Sequence, residues 1–198
     1  MSKRVFDLGV SLLALLILAP VLLGIAAAIK LDSRGPVFFR QERVGLNGRP
    51  FRIHKFRTMV SDAESSGPQL TRQDDPRITR VGSFLRRHKL DELAQLIDVV
   101  RGDMSIVGPR PEVPRYVALY PEEIRGVVLS VRPGITDAAS VAYKDESAQL
   151  ASGTDPEKLY VDVIMPEKLR LCVQYVRDRS LAGDLAIVAR TLKALLRP

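Results

Sequence analysis

The hydrophobic pattern begins with an uninterrupted apolar segment, because residues 8–29 contain no charged side chain. A helix of this length is long enough to cross the hydrocarbon core of a bilayer, which is about 30 Å thick. Pro20 lies near the middle, where a proline removes one helical hydrogen bond and clashes with the preceding turn. Basic residues flank both ends, so a simple span would leave one basic pair on the side that the positive-inside rule disfavours. We therefore predict a membrane segment at 1–31, broken at Pro20, that enters and leaves the same leaflet, followed by a cytosolic domain at 32–198.

Two other interpretations of this segment stay open. A plain single span needs no break at Pro20, and a signal peptide would be cleaved near the alanines at 26–28. The signal peptide is disfavoured because its apolar region is normally shorter and because the acidic Asp7 precedes the segment.

After this segment, the periodicity changes to that of short elements. Apolar runs at 37–39 and 51–53, separated by a turn with two glycines at 45–48, predict a β-hairpin. Helical spacing predicts helices over 78–89, 90–100, 121–131, 166–178 and 181–196, the first and last of them basic and amphipathic. Loops are expected at 61–75, 103–114 and 136–156. The predicted fold class is a small, mostly helical α/β domain with a short hairpin or sheet, an N-terminal re-entrant helix-break-helix and interfacial amphipathic helices.

Composition narrows the partners but does not choose among them. The chain of 198 residues carries a formal net charge of +7, which favours anionic partners such as phosphorylated ligands, nucleic acid or an anionic membrane face. Its single cysteine, Cys172, excludes an internal disulfide and a zinc cluster built on cysteines. The sequence contains no glycine-rich P-loop and no recognised nucleic-acid motif, so nucleic acid is not an expected partner.

Asp91 and Glu92 are adjacent at the predicted start of the helix at 90–100. The simpler explanation for such a pair is that a helix N-terminus stabilises negative charge. Five basic residues between 77 and 89 favour a functional interpretation, because nearby cations keep a carboxylate ionised and able to attack an electrophilic phosphorus. Neighbouring side chains on a helix diverge by about 100°, so the second carboxylate is available to hold a hard divalent cation. The candidate catalytic pair is therefore Asp91 and Glu92.

Basic residues at two other places are candidates for phosphate binding. Arg110 lies in a rigid turn at 108–111, where its guanidinium suits bidentate contact with a phosphate. Lys55 and Arg57 alternate with Phe56, as on a strand. The simpler explanations are a proline-shaped surface loop for the first and the solvent face of the hairpin for the second.

Together these motifs resemble the monotopic phosphoglycosyl transferases, the bacterial sugar transferase family. The matching runs, in family order, are residues 3–7, the central Pro20, 55–59, 90–93, 102–111, 132–136 and 175–184. A single run of this kind is weak evidence, whereas the set in the correct order is specific. Because no long multi-span region precedes the match, the chain resembles the minimal members that consist of the catalytic domain only.

The resemblance implies a reaction and a location. The family moves a sugar 1-phosphate from a UDP-sugar to polyprenyl (undecaprenyl) phosphate and releases UMP, as the first membrane step in making a glycoconjugate such as O-antigen, capsule, exopolysaccharide or a glycoprotein glycan. The resemblance implies that Asp91 forms a covalent phospho-sugar intermediate and that Glu92 binds Mg²⁺. It also implies that the protein lies in one leaflet at the cytoplasmic face of the bacterial inner membrane. The other implied site residues are Lys55, Arg57, Arg86 and Arg110 at the phosphates, with Pro109 and Asp184 in supporting roles.

The chain departs from the family pattern at three positions. Ala19 replaces a serine that often precedes the breaking proline, Asp137 replaces a glycine, and Cys172 replaces an acidic residue. Residues 137–146 are therefore the expected seat of sugar specificity. The main alternative function is a membrane-tethered basic protein that binds anionic lipid or nucleic acid without catalysis, and a third is a scaffolding member of the family.

Overall fold

The computed structural model describes residues 2–61, 63, 75–142 and 155–195. The chain order is α1 (Ser2–Asp32), β1 (Phe38–Val44), β2 (Pro50–Phe56), α2 (Arg80–Arg87), a 3₁₀ helix (Leu90–Gln95), α3 (Leu96–Arg101), β3 (Ser105–Val107), α4 (Pro114–Val117), α5 (Glu122–Val128), β4 (Gly134–Thr136), α6 (Ala138–Ala142), α7 (Pro156–Leu159), a π-helical turn (Tyr160–Ile164), α8 (Met165–Asp178) and α9 (Leu181–Leu195). The prediction of a mostly helical fold with a short sheet is confirmed. Most of the loop expected at 61–75, and residues 143–154 of the loop expected at 136–156, lie outside the described residues.

The apolar segment forms α1, which continues through Pro20 without an interruption in its helical assignment. The predicted break at Pro20 is therefore not confirmed. Proline removes only one hydrogen bond, and the remaining hydrogen bonds of this 31-residue helix maintain the helical conformation on both sides of Pro20. Among the described residues, α1 is the one helix that is long and apolar enough to cross a membrane. Only 11% of its most apolar 18-residue stretch is buried within the fold.

Both ends of α1 are attached to the rest of the chain. Near its start, the Arg4 guanidinium donates to the carbonyl oxygen of Val99 in α3 at 2.6 Å. At its end, the Asp32 carboxylate accepts a hydrogen bond from the amide of Val81 in α2 at 3.0 Å. Ile25 and Ile29 pack with Phe56, Leu85 and Ala94 in a buried cluster. The middle of α1 is left exposed, including Leu12, Leu13, Leu16, Ile17 and Leu23.

The predicted hairpin is confirmed: β1 and β2 pair antiparallel, with Phe38 opposite Phe56 and Val44 opposite Pro50. Its turn is a single 3₁₀ turn at Leu46–Gly48, in which Asn47 has the positive φ that asparagine tolerates. This ribbon contacts the 3₁₀ helix closely, so β2 brings its side chains to the segment that carries Asp91 and Glu92.

The single helix expected over 90–100 consists of two pieces, the 3₁₀ helix and α3. The residue before them, Lys89, adopts a left-handed conformation with φ 55°, and this turn separates the segment from α2. The predicted apolar face was also wrong in part, because Leu93, Ile97 and Val100 are only partly buried whereas Asp98 and Gln95 are fully buried. The polar residues are buried because tertiary partners, and not helical periodicity, decide the buried side here.

A second, parallel sheet was not predicted. β3 lies in the stretch expected to be a loop and pairs with β4, Ser105 opposite Gly134 and Val107 opposite Thr136. The pairing continues beyond the strands, since Gly108 donates to Thr136 at 3.1 Å and Gly134 donates to Pro109 at 3.0 Å. Three-residue strands show too little alternation to be recognised in a sequence. This sheet joins the two motifs at 102–111 and 132–136.

The predicted C-terminal helices are confirmed as α8 and α9. α8 packs on α5 through a core of residues that includes Val113, Tyr116, Val128, Tyr160 and Leu169. In α9 the buried side is formed by Asp184 and Ile187, whereas the leucines of the predicted apolar face, Leu181, Leu185 and Leu192, are 42–56% exposed.

Candidate active site

Three elements meet around the Glu92 carboxylate. Glu92 lies in the 3₁₀ helix, Lys55 comes from β2, and Arg110 comes from the loop that follows β3. The Lys55 ammonium donates to Glu92 Oε1 at 3.0 Å. The Arg110 guanidinium donates to both carboxylate oxygens, to Oε2 at 3.3 Å and to Oε1 through a shorter bond. The structure thus brings together three predicted site residues that are distant in the chain.

Asp91 lies beside this cluster in a different environment. It is 8% exposed, and its Oδ2 lies 4.0 Å from the Lys55 Nζ. Adjacent side chains on a 3₁₀ helix diverge by about 120°, because the helix has three residues per turn. Glu92 is hydrogen-bonded to Lys55 and Arg110, whereas Asp91 has a longer ion pair with Lys55, so the two carboxylates have different environments.

The two carboxyl groups have pKa values shifted in opposite directions. Burial raises the pKa of Asp91 above its usual value, and the nearby charges of Lys55, Arg86 and Arg110 offset this only in part. Burial also opposes the charge of Glu92, but Arg110 and Lys55 outweigh it and hold the pKa of Glu92 well below its usual range. Of the basic residues at 77–89, Arg86 lowers the pKa of Asp91, as do Lys55 and Arg110, which pair with Glu92.

Arg86 and Arg57 have different positions relative to this site. Arg86 donates from Nε to the Thr58 hydroxyl at 2.8 Å, and the negative charge of Asp91 acts on its pKa, which burial lowers. Arg57 is directed elsewhere: its guanidinium donates to the main-chain oxygens of Ser33 and Arg34 and to the Ser61 hydroxyl. The strand ends at Phe56, so the alternation that placed Arg57 on the same face as Lys55 does not extend to it. The structure does not bring Arg57 to the two carboxylates.

Arg43 is a neighbour of the site that the sequence did not indicate. It donates to the Pro111 carbonyl at 3.0 Å and to Gln41 Oε1 at 2.5 Å, and its Nη1 lies 3.8 Å from Glu112 Oε2. Burial lowers the pKa of Arg43, and the nearby Arg110 lowers it further. A basic residue on a predicted hairpin does not by itself indicate a functional site, because most such residues face solvent. Its contact with the 109–111 loop appears only in the fold.

Asp184 does not lie at the dyad but at the start of α1. Its carboxylate accepts from the Lys3 ammonium at 2.5 Å and from the Tyr175 hydroxyl at 2.8 Å. Next to it, Asp7 accepts from the Ser105 hydroxyl at 2.7 Å. These contacts join α9 to α1 and to α8, and they join α1 to β3, the strand that leads to Pro109 and Arg110. Pro109 itself is buried, and its carbonyl accepts the amide of Gly134 at 3.0 Å.

His54 is also held by a buried carboxylate. Its Nδ1 lies 2.5 Å from Asp98 Oδ1, and its amide donates to Asp98 Oδ2 at 2.7 Å. This double contact fixes β2 against α3, one residue away from Lys55. The expectation that His54 is structural agrees with this contact.

The site has oxygen donors that suit Mg²⁺ only in combination with a substrate. No group of three or more histidine, cysteine or acidic side chains able to hold a metal is present in the described part of the chain. Mg²⁺ is commonly bound by one or two carboxylates together with substrate phosphates, and Asp91 and Glu92 supply such carboxylates. The residues therefore fit a metal that arrives with a phosphorylated ligand.

Comparisons with known proteins indicate the family of this chain. The sequence model of the family described as bacterial sugar transferase matches residues 1–198. The UDP-glucose:undecaprenyl-phosphate glucose-1-phosphate transferase of Escherichia coli (strain K12) is 42% identical over 194 residues, which are 96% of this chain and 39% of that protein. The UDP-N-acetylgalactosamine-undecaprenyl-phosphate N-acetylgalactosaminephosphotransferase of Aeromonas hydrophila is 37% identical over 196 residues, covering 98% of this chain and 43% of that protein.

A third relative is similar in length. The exopolysaccharide production protein ExoY of Sinorhizobium fredii is 36% identical over 209 residues, covering 98% of this chain and 85% of that protein. In contrast, the chain spans only about two fifths of the length of the two relatives above.

Proposed function

The chain belongs to the bacterial sugar transferase family, and on this premise we propose that it transfers a sugar 1-phosphate from a UDP-sugar to polyprenyl phosphate, with release of UMP. The observation that carries the proposal is the pairing of one partly buried carboxylate, Glu92, with Lys55 and Arg110, next to a buried carboxylate, Asp91. A carboxylate nucleophile beside cations that bind phosphate suits phosphoryl transfer through a covalent intermediate.

The reaction proceeds in two displacements at one phosphorus. An oxygen of ionised Asp91 attacks the phosphorus that carries the sugar, a new Asp91–phosphorus bond forms, and the bond to the bridging oxygen breaks, so that UMP leaves with that oxygen. An oxygen of polyprenyl phosphate then attacks the same phosphorus and releases the Asp91 carboxylate. The product is a polyprenyl diphosphate sugar, and the enzyme returns to its starting state.

Lys55, Arg86 and Arg110 stabilise the negative charge on the diphosphate. Lys55 and Arg110 already converge on one carboxylate, so they are held in position for an anionic ligand and need little reorganisation. Glu92 together with the substrate phosphates would hold Mg²⁺, which supplies charge neutralisation at the leaving group. Chelation with EDTA is expected to abolish UMP release, and added Mg²⁺ to restore it.

We propose that the protein lies in one leaflet at the cytoplasmic face of the membrane. A straight helix of 31 residues would be about 46 Å long, so a straight span normal to the membrane would place its two ends on opposite sides of the hydrocarbon core. However, Arg4 near the start bonds to Val99 of α3 and Asp32 at the end bonds to Val81 of α2, so both ends are attached to the same domain. This supports a segment at 1–31 whose exposed middle enters the bilayer while both ends stay with the domain at 32–198.

The exposed leucines of α9 support an interfacial position for that helix. Leu181, Leu185 and Leu192 are about half exposed, although α9 buries its opposite side against the domain. An amphipathic helix with basic neighbours such as Arg190 suits the boundary of an anionic membrane. The name of the Sinorhizobium relative refers to exopolysaccharide production, and we propose a glycoconjugate pathway of this kind for this chain.

UMP release tests the proposed reaction. Protein in nanodiscs is mixed with a panel of UDP-sugars, Mg²⁺ and undecaprenyl phosphate, beside Asp91→Asn and the control Asp162→Asn, which alters an exposed aspartate. The expected result is lipid-dependent UMP from at least one donor, lost in Asp91→Asn and kept in the control. No UMP from any donor would refute the proposal in favour of a membrane-tethered binding protein.

The covalent intermediate has its own test. A donor labelled with ³²P at the sugar-linked phosphorus is mixed with the protein without lipid, and the label retained on denatured protein is counted. We expect label on the wild type and none on Asp91→Asn. Full turnover by Asp91→Asn would refute the covalent route while leaving the overall transfer intact.

A further inference from the structure

Asp137 lies where the chain passes from β4 into α6, and it is only 2% exposed. One oxygen, Oδ1, accepts a hydrogen bond from the amide of Ser140 at 2.6 Å. The other, Oδ2, accepts from the main-chain amide of Arg110 at 3.1 Å. The Cys172 thiol of α8 is also directed at Oδ2, at 3.8 Å. A single buried carboxylate thus joins α6 and α8 to the residue that pairs with Glu92.

The main chain around Arg110 is held at three consecutive residues. The Pro109 carbonyl accepts from Gly134, the Arg110 amide donates to Asp137, and the Pro111 carbonyl accepts from Arg43 at 3.0 Å. Main-chain bonds of this kind set the direction in which the intervening side chain leaves the loop. Arg110 then has only its side-chain torsions to adjust when it meets Glu92.

Capping α6 does not by itself explain Asp137. A capping aspartate needs one oxygen for the first amides of its helix, and Ser140 occupies that oxygen. The second oxygen is used at Arg110, 27 residues earlier in the chain. A hydrogen bond from an amide to a buried carboxylate is charge-assisted and stronger than a neutral one, so it restrains the loop effectively.

We propose that Asp137 is a positioning residue for Arg110, directing its guanidinium toward the substrate diphosphate through the main-chain bond. It does not touch the reacting atoms, and its effect on the reaction passes through Arg110. This inference rests on the proposed transferase function, which assigns Arg110 to the diphosphate. It also gives a structural role to a position at which the chain departs from the family pattern.

A double-mutant cycle tests the proposal. The variants are Asp137→Ala, Arg110→Ala and the combination, with the steady-state kcat/KM for the UDP-sugar measured by UMP release. We expect Asp137→Ala to lower kcat/KM by about 10- to 100-fold, the cost of misplacing a group by roughly 1 Å. In the Arg110→Ala background the same change is expected to have almost no further effect, because the group that it positions is gone. Losses that multiply would overturn the proposal, since a general folding defect acts whether or not Arg110 is present.

Asp155→Ala is the matched control. Asp155 caps α7 through the amides of Glu157 and Lys158 and is exposed, so the variant removes a helix cap without contacting Arg110. We expect unchanged kcat/KM. Asp137→Asn keeps one acceptor oxygen and should recover part of the activity lost in Asp137→Ala. A loss in Asp155→Ala as large as that in Asp137→Ala would assign the effect to capping and overturn the proposal.

A substrate-free readout separates this inference from the proposed function. Protein labelled with ¹⁵N-arginine gives an Arg110 side-chain signal, assigned by its disappearance in Arg110→Lys. The signal is expected to shift in Asp137→Ala and to remain in Asp155→Ala, because Asp137 bonds to the main chain of Arg110 and Asp155 caps α7 instead. If the wild type releases no UMP but the signal shifts, the transferase function fails and the positioning role stands. An unshifted signal overturns the positioning role even in an active enzyme.

Discussion

Replacing Gly134 with alanine tests whether the packing of β4 on the loop after β3 sets the geometry of the active site. A Cβ at this position would lie 2.1 Å from the Gly108 nitrogen, 2.4 Å from the Gly108 oxygen and 2.7 Å from the Thr136 oxygen. All three are main-chain atoms, so no side-chain rotation relieves the overlap. Restoring contacts of ordinary length, about 3.5 Å, requires the two segments to separate by roughly 1 Å.

The consequence is expected in both stability and activity. Forcing extra volume into a packed region costs about 1–3 kcal/mol, which lowers Tm by roughly 2–12 °C in a chain of this size. The displaced segment carries Pro109 and Arg110, and moving a positioned group by about 1 Å costs about 100-fold in rate. We therefore expect Gly134→Ala to lose about 100-fold in kcat/KM for UMP release while it still folds.

Gly126→Ala in α5 is the control for this prediction. A Cβ there meets nothing within 4 Å, and alanine is favoured over glycine in a helix by about 0.5–1 kcal/mol. The control should therefore match or exceed the wild-type Tm and keep its turnover. Wild-type kcat/KM in Gly134→Ala would refute the conclusion that this close approach positions Arg110.

Three further predictions concern the residues around the dyad. The kcat/KM for UMP release should fall on acidification with an apparent pKa above 3.8, the usual carboxyl value, because burial raises the pKa of Asp91 and only its ionised form attacks. The Glu92→Gln variant in Mg²⁺-free buffer should lose about 1–3 kcal/mol of stability, seen as a lower Tm, because the partly buried Lys55 and Arg110 lose their shared countercharge. At Lys89, which has φ 55°, valine should lower the stability by about 1–2 kcal/mol relative to glycine, again measured as Tm, because a β-branched side chain is strained in the left-handed region.

Each of these predictions has an outcome that contradicts it. An apparent pKa at or below the usual carboxyl value, taken from the acidic limb of the pH profile, would mean that burial does not control the ionisation of the nucleophile. This apparent pKa belongs to the Asp91–Glu92 pair and not to one residue. Glu167→Gln removes an exposed pair with Arg170 and should change Tm little, so an equal loss in both glutamine variants would count against the role of burial. Equal Tm values for valine and glycine at Lys89 would mean that this turn stores no strain.

Much of the fold followed from local patterns. The apolar segment, the hairpin, α2, α5, α8 and α9 were all predicted, because each depends on the spacing of residues within a few positions of one another. The short parallel sheet was missed because β3 and β4 have three residues each and pair across a long stretch of chain. The leucines of α9 were predicted to share one face of the helix, and the structure leaves that face exposed. The buried face of α9 is the one with Asp184 and Ile187.

The sequence by itself determined which chemical groups the site contains, since Asp91, Glu92, Lys55 and Arg110 were identified from their types and motifs. Only the tertiary structure decided how these groups pair with one another and which of them are buried. Lys55 lies 37 positions from Glu92 and Arg110 lies 18 positions away, yet both hydrogen-bond to that carboxylate, and burial has the largest effect on the pKa of Asp91. The tertiary structure also directs Arg57 away from the site, and it brings the Asp137 carboxylate to the main-chain amide of Arg110. The physical reason is that charge pairing and burial act through space, and the positions of groups far apart in the chain are set only when the elements pack.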